Sequence, residues 1–215
     1  MLYHRLRILW QLKFNPDQLF HQINQLEWYR TALLDWANTL PIKHGMSLLE
    51  VGCATGVLSR HLVKAASVTG LDRSATMIEH ARRNNRDNDI RFGVGDIMAL
   101  PFADQQFDCT LAASVINIVS DPQQSLCEMR RVTVSKGCIS VLAPDASMTN
   151  RQVHSLVATL GLTGFPRETL LTWHRLAPKV STDDLCIWFA TAGLGSPRIR
   201  SHLRGMLVSV TGSPD

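Results

Sequence analysis

Apolar residues follow two different periods along this chain. Between residues 47 and 144 they gather in short runs: Ser47-Leu48-Leu49-Glu50-Val51, Ser67 to Leu71, Ile90 to Val94, Phe107 to Ala113 and Cys138 to Ala143. Runs of this length, bounded by turn residues, predict buried strands. Helical spacing fills the gaps. Val57, Leu58, Leu62 and Val63 mark a helix over 57–64, and Met77, Ile78 and Ala81 mark one over 75–84 behind a Ser74 cap. Asp121-Pro122 opens a third, which carries Leu126 and Met129 to about Val134. Lys136-Gly137 is expected to be a turn before the fifth strand. Strand and helix in alternation predict an α/β protein of the doubly wound, Rossmann-like kind, with right-handed crossovers and helices on both faces of the sheet.

The flanks are helical. Leu2, Leu6, Leu9 and Trp10 share one helix face, Asn15-Pro16-Asp17 breaks it, and a second helix is expected from about Asp17 to Thr39, stopped by Pro41. Further helices are expected over Arg151–Leu160 and Pro166–Leu176. Another is expected over Asp183–Ala192, after the capping sequence Ser181-Thr182-Asp183-Asp184 and before Gly193. Pro197 to Arg204 and Met206 to Thr211 alternate as two strands about Gly205. One domain results: N-terminal helices over 1–40 as a lid, a core over 47–144, a substrate-side insertion over 146–180, and a last helix with a β-hairpin over 181–215.

The first strand, turn and helix carry the chemistry. Gly52-Cys53-Ala54-Thr55-Gly56 is a turn of small residues that lets a ligand approach the backbone. A dinucleotide loop reads G-x-G-x-x-G and seats pyrophosphate on a helix N-terminus. Here the glycines are four apart and Glu50 stands just before them. That acid repels pyrophosphate and attracts an ammonium group. A cofactor with an amino acid at one end and a nucleoside at the other fits, and S-adenosylmethionine is that molecule. Asp72 lies twenty residues beyond Gly52, where such folds place a carboxylate on ribose hydroxyls.

Composition narrows little. The 215 residues are 45% hydrophobic and 19% charged, with a net charge of +4. These values describe a globular chain with a full core, a mildly basic one that permits anionic partners without requiring them. Five cysteines at 53, 109, 127, 138 and 186 form no C-x-x-C pair, so neither a zinc site nor a disulfide framework is expected. Cys109 and Cys138 read as small buried hydrophobes. No apolar run approaches the ~20 residues of a membrane span and no signal peptide is seen. A cytoplasmic protein is expected, with no strong nucleic-acid signal and at most a weak peripheral membrane contact through the basic N-terminal helix.

Four segments in order, LLEVGCATG, VTGLDRSATMIEHAR, FGVGDIMALPFADQQFDCTLAASVINIVSDPQQSL and MRRVTVSKGCISVLAP, resemble the class I S-adenosylmethionine-dependent methyltransferases. The likeness is to the small-molecule branch that includes the ubiquinone/menaquinone methyltransferases. It implies a seven-stranded, mostly parallel sheet whose last strand is antiparallel. It also implies roles. Glu50 faces the methionine ammonium. Gly52, Cys53, Ala54 and Gly56 supply close backbone, Ala54 standing where glycine is usual. Asp72 bridges the ribose hydroxyls, and Arg73 and Met77 flank the adenine. Asp96 accepts from the adenine amino group beside Ile97, and Ala112 passes the methionine part. S-adenosylhomocysteine is the implied product.

The stretch from Ala113 to Ile118 faces the acceptor in this fold. It lacks the N/D-P-P-Y/F motif of nitrogen methylation on DNA or protein, and no Pro-Cys pair serves cytosine. Related small-molecule enzymes often carry histidines where this chain has Asn117-Ile118. Asn117, His21, Tyr29 and His154 are therefore candidate acceptor-side residues, with His174 behind them and Trp28, Trp173 and Phe165 as possible lining. A small organic acceptor methylated on oxygen or carbon is expected, by a monomer or homodimer. An RNA or protein methyltransferase and an inactive cofactor-binding partner protein remain the alternatives.

Overall fold

The computed structural model describes residues 2–64 and 66–214, the Ser196 side chain excepted. One seven-stranded sheet crosses the molecule in the order β3-β2-β1-β4-β5-β7-β6. Its strands are β1 (Ser47–Val51), β2 (Ser67–Asp72), β3 (Ile90–Val94), β4 (Phe107–Ala113), β5 (Thr133–Pro144), β6 (Leu194–His202) and β7 (Leu207–Pro214). The first five are parallel, and β7 is antiparallel to both β5 and β6. The continuous apolar runs are explained by burial on both faces: Leu48, Leu49, Leu111, Val141 and Leu142 are completely buried.

Chain order reverses between β1 and β4, which lie side by side with Glu50 opposite Leu111 and Val51 opposite Ala112. Crossovers leave these two strands in opposite directions, so a crevice opens beyond their carboxyl ends. The loop after β1 and the turn after β4 form its floor.

Helices α4 (Val57–Leu62), α5 (Ala75–Asn84), α6 (Pro122–Val132) and α9 (Thr182–Thr191) cover the sheet. Ser74, Asp121 and Ser181 cap α5, α6 and α9 by accepting from the backbone N–H three residues on. Helices α7 (Asn150–Thr159) and α8 (Gly164–Leu176) rise beyond β5.

Three expectations need correction. The single helix expected over 17–39 is two, α2 (Pro16–Asn24) and α3 (Glu27–Ala37). Asn24 Nδ2 donates back to the Phe20 carbonyl at 2.8 Å, and Leu26 is extended (φ −73°, ψ 131°), so the helix breaks with no glycine or proline at the joint. Lys136-Gly137 is no turn between elements but a bulge within β5: pairing slips between Phe107 and Cys109, and Lys136 takes φ +61°. Helix α1 (Leu2–Phe14) does not bury its Leu2–Leu6–Trp10 face. Ile8 and Gln11 point inward as α1 packs on α8, while Leu2, Tyr3, Leu6, Trp10 and Phe14 are exposed.

Side chains distant in sequence fasten the N-terminal helices. Trp36 on α3 is fully buried and donates its indole N–H to Ser140 Oγ on β5 at 3.0 Å. Asp35 lies 2.7 Å from His202 Nδ1, whose Nε2 is 2.9 Å from Ser209 Oγ. Ser209 is buried, so this Asp–His–Ser chain holds α3 to the sheet edge and offers no accessible nucleophile.

Candidate functional site

The turn after β1 wraps the end of β2. The Gly52 and Cys53 N–H groups both donate to the Leu71 carbonyl, at 2.7 and 3.0 Å, and Gly56 N–H donates to Cys53 at 2.8 Å. Gly52 and Gly56 each take φ +73°, where a side chain is strained. A Cβ on Gly56 would come within 2.7 Å of the Phe92 ring and 2.8 Å of Asn85 Nδ2; one on Gly52 would collide with Val115. Ala54 also sits in the left-handed region, at φ +46°. Alanine in the usual glycine place therefore carries backbone strain, a larger departure than sequence alone indicates.

Two acids are held in this turn. Asp72, at the end of β2, accepts from Ala54 N–H on one oxygen and Ser74 N–H on the other, both at 2.9 Å. Each oxygen keeps a free lone pair directed away from the backbone. Glu50 is 4% exposed, and its carboxylate accepts from Ser59 on α4. No cation pairs with it among the described residues. Burial pushes its carboxyl up to about 7, the Ser59 hydroxyl and N–H pull it back in part, and the Asp72 charge adds to the rise. The Cys53 thiol, pushed well up by burial and then by both acids, is a neutral packing group.

These features suit the cofactor deduced from the sequence. A buried carboxyl without a cation suits an ammonium, and an Asp fixed by two amides suits a diol. The residues expected on the adenine side follow the ends of β2 and β3. Arg73 is exposed after Asp72, and Met77 is buried under the start of α5. Asp96 is exposed and accepts from Met98 N–H at 2.9 Å, while Ile97 is buried beneath. Arg131 braces the following loop by donating to the Leu100 and Phe102 carbonyls at 2.9 and 2.8 Å. Ala112 is fully buried beside Val51.

On the other side of the crevice, Ser114 follows β4 at φ +56° and donates its N–H to Leu142 at 2.7 Å. Its hydroxyl is buried without a hydrogen-bond partner. The Tyr29 phenol on α3 stands beside it: burial raises its pKa above the ordinary value, Ser114 moderates the rise, and Glu50 adds to it. No hydrogen bond joins the two groups. Ser114 and Asn117 open into a cavity of about 150 Å³. Asn117 Nδ2 donates to the Pro178 carbonyl at 3.1 Å, leaving Oδ1 buried and unpartnered. The remaining wall is mostly apolar, with Ile8, Leu12, Leu19 and Ile23 from α1 and α2 and Trp173 and Leu176 from α8, and Thr169 and Thr172 of α8 add two hydroxyls.

The other candidates are dispersed. His21 stacks on His80 of α5, ring centroids 4.5 Å apart, and does not line this cavity; burial, then His80 and Arg83, lowers its pKa. Trp28 is buried against Trp173 at 5.7 Å. Phe165 lies under the Arg7 guanidinium. His154 and His174 line a second hollow. One link escaped sequence reading altogether. Ser74, which caps α5 and donates its N–H to Asp72, also donates its hydroxyl to Asp17 of α2 at 2.7 Å. Helix α2 is hooked to the turn after β2, and a lone acid in an N-terminal helix gives no local sign of it.

Residues 49–141 match the sequence model of a family described as a methyltransferase domain. Over those residues the chain is similar to methyltransferase domains. It is 34% identical over 120 residues to a demethylmenaquinone methyltransferase of Renibacterium salmoninarum, a match covering 55% of this chain and 48% of that protein. It is 37% identical over 114 residues to one of Thermotoga maritima, covering 50% and 49%. The chain spans about half the length of the curated relatives it matches. A solved methyltransferase from Aquifex aeolicus shares the fold over 93% of this chain and 98% of its own, with a TM-score of 0.72 at 16% identity. No helix among the described residues is long and apolar enough to cross a membrane.

Proposed function

We propose that this chain transfers a methyl group from S-adenosylmethionine to a small, largely apolar organic acceptor. The observation that carries the reading is the cavity beyond β4, apolar but for a few polar groups at its edge. A dry cavity of about this size admits one benzene-sized ring. The cofactor, when bound, supplies a methyl group on a sulfonium, open to in-line displacement. Glu50, with its carboxylate ionised, holds the ammonium, Asp72 the ribose hydroxyls, and Asp96 the adenine amino group. The protein's part is to orient the acceptor and exclude water. Helices α1 and α2 exclude water, and Asn117 Oδ1 accepts a hydrogen bond from an acceptor hydroxyl. Tyr29 and Ser114 border the point of transfer.

The relatives named demethylmenaquinone methyltransferase act on a quinone-type ring. A hydroquinone or phenol ring is accordingly the leading acceptor class, methylated on carbon or oxygen. The apolar wall favours such a ring over RNA or a protein segment. The test is S-adenosylhomocysteine release with small hydroquinones, phenols, total RNA and candidate partner proteins. Turnover with a ring substrate, lost in Asn117→Leu, supports the reading. Turnover with RNA or protein alone overturns it.

A further inference from the structure

A second hollow, about 770 Å³ and polar, lies on the other flank of α8. Thr172 borders both hollows, so a ligand group in one is a single side chain from the other. Arg5 of α1, Arg175 of α8 and Lys179 beyond it line this hollow with His154 and His174. Asn150 adds the first turn of α7, the positive end of that helix. The one acid on the wall, Glu168, is already paired with its neighbour Arg167. Among the described residues, Arg5, Arg175 and Lys179 have no ion-pair partner. His174 Nε2 is buried with no hydrogen-bond partner. Burial, then Lys179, lowers the His174 pKa against the backbone of Met148 and Thr149, so Lys179 stands close to it.

Like charges converging on one hollow repel, and three elements hold them there. A dianion relieves that repulsion and supplies the acceptors that three cations and an imidazole lack. We infer that this hollow is a phosphate-monoester subsite, in which Arg5, Arg175 and Lys179 clamp a phosphoryl group attached to an acceptor seated in the apolar cavity. The assignment of that ligand to the methyl acceptor rests on the proposed function; the phosphate site itself does not.

The test uses the full chain without cofactor. Phenyl phosphate and inorganic phosphate are titrated calorimetrically, and vesicles of phosphatidylcholine with and without phosphatidic acid are tested by co-sedimentation. Arg175→Met/Lys179→Met removes two cations from the hollow. Arg82→Met/Arg83→Met removes two from exposed α5 as a charge-matched control. Arg5→Met serves should the first double variant fail to fold. Phenyl phosphate is expected to bind more tightly than inorganic phosphate, and to weaken tenfold or more in the hollow variants but not in the control. Loss of phosphatidic-acid vesicle binding in the same variants, with no soluble binding, assigns the phosphate to a lipid headgroup. Equal weakening in hollow and control variants, or no binding by any probe, overturns the proposal. Titration with S-adenosylhomocysteine is read separately, so failure of the cofactor site and failure of this one are distinct results.

Discussion

Replacing Glu50 by glutamine isolates the energetic strain of the cofactor site. The carboxyl is buried, has no cation partner and is pushed from an ordinary 4.5 to about 7. At neutral pH the folded chain holds this carboxyl about half ionised, and the group costs about 3 kcal/mol of stability relative to the unfolded chain, where it is fully ionised. The sign follows from proton binding. Between pH 4.5 and about 7 the folded state holds a proton that the unfolded state has released, so this group lowers stability as pH rises through that window. Below the window both states are protonated, and above it both are ionised and the full cost stands. Glutamine keeps the shape and an acceptor for Ser59 but cannot ionise. Glu50→Gln should exceed the wild type in stability by about 3 kcal/mol near pH 8 and by about 1 kcal/mol near pH 5. Urea unfolding at both pH values reads the difference. The same variant should bind S-adenosylhomocysteine roughly 10- to 100-fold more weakly, since one charge-assisted contact of about 1.5–3 kcal/mol is lost. Wild-type affinity should fall about tenfold from pH 8 to pH 6 as the carboxyl takes up its proton. A stability gap that does not change with pH, or a variant less stable than the wild type at pH 8, would refute the argument.

Other substitutions test neighbouring parts of the site. Asp72→Ala removes an acceptor from the Ala54 and Ser74 amides as well as from ribose; S-adenosylhomocysteine binding should weaken at least 100-fold by calorimetry, two contacts of about 1.5–3 kcal/mol each being lost. Ala54→Gly relieves a left-handed alanine and should raise stability by about 0.5–1 kcal/mol in denaturant unfolding, with cofactor affinity unchanged. Asp17→Ala unhooks α2 from Ser74 and should speed S-adenosylhomocysteine dissociation several-fold in stopped flow while leaving the melting temperature within a few degrees.

The turn and acids proposed to hold the cofactor were legible because they are close in sequence. Glu50 to Gly56 is one turn, and strand ends put Asp72 and Asp96 along the same edge of the sheet. Burial of β1 to β5 on both faces writes itself as unbroken apolar runs, and caps such as Ser74 and Asp121 satisfy backbone groups three residues away. The alternation of strand and helix implies parallel pairing with right-handed crossovers.

The acceptor half was not legible. Ile8, Leu19, Ser114, Asn117 and Trp173 come from four separate parts of the chain and meet only when α1 lies on α8. Helix α1 is apolar on several sides, so its periodicity marks a helix without saying that Ile8 turns inward and Trp10 outward. The joint at Gln25-Leu26 has no glycine or proline; there the Asn24 side chain donates to the Phe20 carbonyl and Leu26 turns extended. Local hydrogen bonding and burial determined the elements, the glycine turn and its acids from the sequence itself. The cavity, the Asp17–Ser74 hook and the cationic hollow arise from packing between distant segments, whose energy depends on surfaces that exist only once the chain has folded.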